Sequence, residues 1–221
     1  MSLITLVIGA SGGIGTALVE RCREDGEVVG LSRSADGLDV TDEASIERAL
    51  SSIDGPFDRV FVATGILTAR RGKPEKKLGD CEPDELTTLF AVNATGPLLV
   101  LKHLIPKLDR DHPVKIGVLS ARIGSIGDNG LGGWYAYRAS KAALNQLVRT
   151  AAIELKRSYR QAVLIALHPG TVATPFTADF QDHHSTDEPA KAASNLVRTL
   201  DARGMEESGT FWDQNNEPIQ W

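Results

Sequence analysis

With 221 residues, 24% of them charged, and a formal charge of −5, the chain has the length for one globular domain with a sizeable core. It lacks the basic balance of a general nucleic-acid binder. Two cysteines, Cys22 and Cys81, are too few for a disulfide framework, and no Cys/His spacing resembles a metal site, so both read as reduced thiols.

The chain starts on an apolar strand, Leu3–Ile8, without a basic leader or cleavage site. No apolar run is read as approaching the ~20 residues of a membrane span, and the expected compartment is the cytoplasm. A glycine-rich turn follows, then a helix over Gly13–Asp25 that Gly26 should stop. Strand Glu27–Leu31 comes next. Only six residues separate Leu31 from Leu38, too few for the helical crossover that parallel strands need. Leu38–Val40 is therefore a minimal strand reached by a bare loop, or no strand. Helix Asp42–Ser52 follows, with Thr41 as its expected cap. Beyond it lie strand Arg59–Ala63, a long helix Pro83–Leu108 opened by proline, strand Lys115–Leu119, helix Tyr135–Ser158, strand Ala162–Leu167, helix Pro189–Asp201 and a last strand near Gly209–Trp212. This alternation predicts an α/β fold, a single-domain Rossmann-type doubly wound parallel sheet with helices on both faces.

Three features carry chemistry. Strand Leu3–Ile8 runs into Gly9-Ala10-Ser11-Gly12-Gly13-Ile14-Gly15 and then a helix, so backbone N–H groups can approach a pyrophosphate at the helix's positive end. The plain alternative is a tight structural turn. At the end of the next strand, where an acidic residue would bind ribose hydroxyls, stand Ser32 and Arg33. A guanidinium suits a 2′-phosphate, so the expected cofactor is NADP(H) over NAD(H), against the alternative of a solvated surface arginine. Tyr137 and Lys141 stand four apart on one helix face. Ionising a free tyrosine at pH 7 costs about 4 kcal/mol, which a neighbouring ammonium is expected to reduce. The phenol thereby becomes a candidate proton donor and acceptor. Tyr135, two positions away, reads as packing or cleft wall.

Taken in order, these segments resemble the short-chain dehydrogenase/reductase family across nearly the whole chain, and the C-factor and sniffer-like carbonyl reductases most. Ile8-Gly9-Ala10-Ser11-Gly12-Gly13-Ile14-Gly15 matches the family's Thr-Gly-x-x-x-Gly-Ile-Gly, with Ile8 in place of the threonine that can brace the turn. The resemblance implies Asp39-Val40 beside the adenine ring and Ala63-Thr64-Gly65 at the central Asn-Ala-Gly segment, with Ala63 lacking the amide. It further implies Asn93 as the catalytic asparagine, holding a proton-relay water near Lys141 in a locally relaxed helix. Tyr137 and Lys141 fall on the catalytic pair, and Pro169-Gly170-Thr171-Val172 with Thr174 on the nicotinamide segment. For the catalytic serine, counting back from Gly124 lands on Ala121. Ser120 is the nearest hydroxyl, with Ser125 further along the loop.

The implied reaction is reduction of a ketone or aldehyde by NADPH. Ser120 orients the carbonyl oxygen, Tyr137 gives the proton, and Lys141 assists and hydrogen-bonds the nicotinamide ribose. The partner is then a small carbonyl compound, with neither nucleic acid nor membrane, and the long apolar helices suggest a homodimer or homotetramer. A short polar lid is expected near 175–188, with His183 and His184 read as solvated loop. Nucleotide-sugar epimerases share the Tyr/Lys spacing but need a larger C-terminal domain. A cofactor-binding regulatory or signalling protein with little turnover is the remaining alternative.

Overall fold

Six apolar runs become strands in the computed structural model, which describes residues 2–177 and 186–221. They are β1 (Leu3–Ile8), β2 (Gly26–Leu31), β3 (Arg59–Val62), β4 (Val114–Leu119), β5 (Ala162–His168) and β6 (Phe211–Asp213), all paired in parallel in the order β2-β1-β3-β4-β5-β6. The chain moves from β1 outward to β2, then returns to β3 on β1's other side. That reversal opens a crevice at the carboxyl ends of β1 and β3, where doubly wound sheets bind ligands. Both sheet faces are covered, which is why β3 and β5 read as continuous apolar runs rather than alternating ones.

On one face, α1 (Gly13–Arg23) and α7 (Pro189–Asp201) bury Leu18, Cys22, Leu196 and Leu200 against Val7, Phe61 and Ile165. The other face is covered by α3 (Glu43–Ser51), α5 (Gly96–Leu104) and α6 (Tyr135–Ser158), with Ile46, Leu101, Leu104, Leu144 and Val148 packed on Leu6, Val60 and Ile116. Cys22 is a free thiol inside this core, and Cys81 is free and half-buried. Beneath the sheet, Arg59 is 2% exposed and joins Asp25 at 3.0 Å to Asp201 at 2.6 Å.

Several boundaries differ from expectation, each for a local reason. The β2 exit holds a single helical turn, α2 (Arg33–Asp36), closed by Gly37 at φ 67. Leu38–Val40 is not a strand: Leu38 and Val40 are buried, and Val40 lies so close to Gly96 that a Cβ there would stand 2.8 Å from it. The cap of α3 is Asp42, which accepts from the Ala44 N–H at 3.0 Å, while the Thr41 hydroxyl is turned back onto Asp39. Helix α1 stops at Arg23, and Gly26 serves close packing instead, since a Cβ on it would lie 2.1 Å from the Leu3 carbonyl.

The long helix expected over Pro83–Leu108 is interrupted. After α4 (Pro83–Phe90) comes a five-residue π turn, Ala91–Thr95, in which the Gly96 N–H bonds the Ala91 carbonyl. Pro97 has no N–H to give the Asn93 carbonyl one turn back, so the α ladder cannot run through this point. Pro106 likewise falls in the closing 3₁₀ turn Ile105–Lys107. By length and composition the run Pro83–Lys107, 25 residues, is long and apolar enough to cross a membrane, contrary to the sequence reading. Its apolar side chains Leu89, Val100, Leu101 and Leu104 are instead packed in this fold's own core. His183 and His184 lie outside the described residues.

Candidate active site

The glycine turn is shaped by close approaches. Gly9 has φ +88, and a Cβ on it would stand 2.8 Å from the Ala63 carbonyl oxygen, so the turn lies directly on the end of β3. At Gly15 a Cβ would meet the Gly9 carbonyl at 2.0 Å, which assigns that glycine to helix-on-turn packing. Gly12 precedes α1 without a side-chain cap, and no acidic residue stands in the helix's first turn. The positive end of α1 is therefore directed at the cleft, with Ser11, Gly12, Gly13 and Ile14 in its wall. The bracing that Ile8 cannot supply comes from Thr16, whose hydroxyl donates to the Ala10 carbonyl at 3.0 Å.

At the end of β2 the side chains are arranged by their own turns. Ser32 accepts from the Ala35 N–H at 3.1 Å as the cap of α2, and its backbone N–H donates to Asp36 Oδ2 at 2.7 Å. Arg33 is exposed at the first position of α2. Asp36, which sequence reading passed over, thus brings a carboxylate to the strand end. Asp39 accepts from the Thr41 hydroxyl at 2.6 Å and the Thr41 N–H at 2.9 Å, which together hold its carboxyl below the usual range. It organises the turn that carries Val40.

A cleft of about 590 Å³ continues from the glycine turn across Ala63, Thr64 and Gly65 to Ser120, Tyr137 and Lys141. Ser120 is 4% exposed at the end of β4, where its N–H extends the ladder to the Leu167 carbonyl at 2.7 Å. Its hydroxyl donates to Asn145 Oδ1 at 2.5 Å. Ser125, the other hydroxyl considered, accepts from the Asp128 N–H at 3.1 Å and staples the loop. Lys141 is 3% exposed and donates from Nζ to the Leu119 carbonyl at 3.0 Å. Burial lowers its pKa to about 8. Burial also pushes the Tyr137 phenol above its ordinary value. This corrects the expected lowering: both groups are desolvated, so the neutral phenol is favoured along with a more easily discharged ammonium.

Asn93 is fully buried in the π turn. Its Oδ1 accepts from the Ile66 N–H at 2.8 Å, and its Nδ2 donates to the Ile66 carbonyl at 2.9 Å and to Ser140 Oγ at 3.1 Å. The side chain thus pins the loop following β3 against α6. A Cβ on Gly65 would stand 3.3 Å from Asn93 Oδ1 and 3.5 Å from Lys141 Nζ, which brings three segments far apart in sequence to one point.

The remaining wall is the segment after β5. Pro169, Gly170, Val172 and Thr174 line the cleft, and a Cβ on Gly13 would lie 2.5 Å from Thr174 Cγ2, so this segment faces the glycine turn. Thr171 points its carbonyl to the Asp187 N–H at 2.9 Å, off the cleft. Residues that sequence reading did not assign also contribute. His168 lines the cleft, its pKa lowered to about 4 by burial and by the charges of Arg122 and Lys141 against Asp213, so it is neutral near pH 7. Phe176 flanks Tyr137 at a ring-centre distance of 6.1 Å, as does Trp134 at 6.2 Å, which the sequence already places at the end of a wall-forming loop. Glu75, 2% exposed, accepts from the Trp134 N–H at 2.6 Å on its carbonyl and from the Ala136 N–H at 3.4 Å on its carboxylate. It closes the start of α6 one turn before Tyr137. Nothing in its local sequence signals this role, because its partners are about sixty positions downstream.

These residues fit a dinucleotide. The α1 terminus suits an anion, and the buried Thr64 Oγ1 and His168 Nδ1 in the cleft wall have no hydrogen-bond partner within the protein. The short chain dehydrogenase family model matches residues 3–185. This chain belongs to that family. As a member it is a nicotinamide-dependent oxidoreductase. A 1-hydroxy-2-glutathionyl-2-methyl-3-butene dehydrogenase from Rhodococcus sp. (strain AD45) is 32% identical, with 98% of each chain covered. The C-signal protein of Myxococcus xanthus is 33% identical over 65% of this chain and 83% of its own. A short-chain dehydrogenase/reductase from Burkholderia multivorans, solved with bound NADP, is 26% identical with both chains fully covered and a TM-score of 0.83.

Proposed function

We propose that this short-chain dehydrogenase reduces a small ketone or aldehyde with NADPH, using Tyr137 as proton donor. The observation that carries the reading is the convergence of Ser120, Tyr137 and Lys141 on one cleft that begins at the α1 terminus. The glycine turn, Ser32, Arg33 and the Pro169–Thr174 segment would hold the dinucleotide. When bound, the nicotinamide supplies a hydride to the carbonyl carbon.

The protein's own residues do the rest. Ser120 orients the carbonyl oxygen and helps stabilise the charge that develops on it. Burial keeps Tyr137 in its neutral form, ready to give a proton to that oxygen, and the Lys141 ammonium stabilises the phenolate left behind. Trp134 and Phe176 exclude water from the phenol and favour an apolar substrate flank. By microscopic reversibility the same groups serve oxidation, the direction for which the Rhodococcus relative is named. The lid expected near 175–188 falls mostly outside the described residues. Exposed Ile153 on α6 supports pairing of that helix with another copy in a homodimer or homotetramer.

The Lys141 charge sets the pH dependence. With its pKa lowered to about 8, the ammonium is present below that pH and lost above it, while the raised Tyr137 stays protonated throughout. We expect kcat for reduction to be level at pH 6–7 and to fall as pH rises through about 8, and Lys141→Met to lose this limb. Stopped-flow NADPH oxidation at saturating substrate checks it; a wild-type profile still level at pH 10 removes the ammonium from the step.

NADP(H) preference rests on Arg33, supported by the bound NADP of the Burkholderia relative. Arg33→Ala should erode the preference over NAD(H) by roughly 10- to 100-fold, as expected for a charge-assisted contact of ~1.5–3 kcal/mol. Comparing kcat/KM for both cofactors tests it, and an unchanged ratio discards the assignment. A second reading, a cofactor-binding signalling protein, is supported by the likeness to C-signal. Tight NADPH binding with no oxidation across a panel of aldehydes, ketones and diketones would favour it.

A further inference from the structure

We propose that Asn145 is a positioning residue for the reaction: its amide holds the Ser120 proton in one orientation and releases it to the substrate's carbonyl oxygen in the other. The inference deepens the carbonyl-reductase reading and rests on it. Tyr137, Lys141 and Asn145 occupy positions i, i+4 and i+8 of α6 and share one face of the helix. The first two line the cleft. Asn145 stands behind Ser120, off the cleft wall, and both are buried, at 3% and 4% exposure.

A serine hydroxyl has one proton. Here it is directed to Asn145 Oδ1 at 2.5 Å, which leaves none for a carbonyl oxygen in the cleft, while the buried Asn145 Nδ2 has no hydrogen-bond partner. A half-turn of the amide about Cβ–Cγ exchanges Oδ1 and Nδ2. Nδ2 then donates to Ser120 Oγ, and the hydroxyl proton is free to point into the cleft.

The two ends of an amide are nearly the same size, so the exchange requires no repacking. Each orientation leaves one amide atom unpaired, which keeps the two states close in free energy. A carbonyl oxygen gains its hydrogen bond only in the second state and draws the population there. An amide both accepts and donates at this reach, whereas a carboxylate would keep the proton and an aliphatic side chain would leave the hydroxyl unaimed.

The test is a double-mutant cycle on NADPH oxidation with an aldehyde that the wild type reduces, using Ser120→Ala, Asn145→Leu and the pair. Ser120→Ala is expected to lower kcat by about 10²-fold, and Asn145→Leu by about tenfold, the loss expected for one hydrogen bond. NADPH affinity, read by fluorescence quenching, should stay within about twofold in both. The double variant should lose no more than Ser120→Ala alone, because without the hydroxyl there is nothing left to aim. Losses that multiply to about 10³-fold would mean that Asn145 acts on the fold alone, and would overturn the proposal, as would normal turnover by either single variant. Asn145→Ala carries the same cycle should the leucine variant not fold. A wild type that binds NADPH but reduces no carbonyl compound overturns the reductase reading itself and this proposal with it, an outcome distinct from an active wild type with an uncoupled Asn145.

Discussion

Replacing Tyr137 by phenylalanine is expected to lower carbonyl turnover by about 10²- to 10⁴-fold while NADPH binding is largely kept. The change removes one oxygen from a side chain that is 7% exposed and packed between Trp134 and Phe176. Those two aromatic neighbours hold the ring, so it can stay where it is and the fold loses little. What disappears is the phenolic proton that Tyr137 brings to the cleft wall. Steady-state kcat on the carbonyl panel, with the NADPH dissociation constant measured alongside, checks this. Turnover within tenfold of wild type would remove Tyr137 from the proton transfer; a parallel collapse of cofactor binding would show that the ring serves packing.

The second large effect lies at the opposite end of the sheet. Arg59→Ala is expected to destabilise the protein by about 3–5 kcal/mol, the loss typical of breaking a buried ion pair from one side. Arg59 is 2% exposed and reaches Asp25, at the end of α1, and Asp201, at the end of α7, so one guanidinium ties both helices of this face to β3. Its removal leaves two carboxylates facing each other across a hole lined by Cys22. Burial works to raise Asp25, but hydrogen bonds and charge from Arg21 and Arg59 outweigh it and hold the carboxyl below its ordinary value. That contribution is present above about pH 4 and is lost as pH falls through the lower folded value. Urea unfolding at pH 7 measures the loss. A change under about 1 kcal/mol would show the network to be dispensable.

Much of the fold was legible because its signals are local. Continuous β-branched runs marked the strands to within a few residues, and the order of runs and periodic stretches gave a doubly wound sheet. The misses have physical causes. The break in Pro83–Leu108 comes from Pro97 denying a donor to the Asn93 carbonyl, and its apolar pattern carried on through the gap. Gly26 and Gly15 looked like turn glycines, yet each is there because another backbone passes within a Cβ's reach. At the site, Tyr137 and Lys141 declared themselves by helical spacing, and the glycine turn by its place between strand and helix. Asn145 lay one turn further along the same face and went unread, because its partner Ser120 is on another strand.

What the amino-acid order determined by itself was therefore everything set by neighbours within about a turn or a strand: the alternation of elements, the nucleotide-type turn, the phenol–ammonium spacing and the family to which they belong. Tertiary structure decided which hydroxyl reaches the cleft, that Glu75 closes the start of α6, and how burial moves the phenol and the ammonium. Desolvation and long-range hydrogen bonding depend on what the fold brings alongside a group, and no local pattern encodes that.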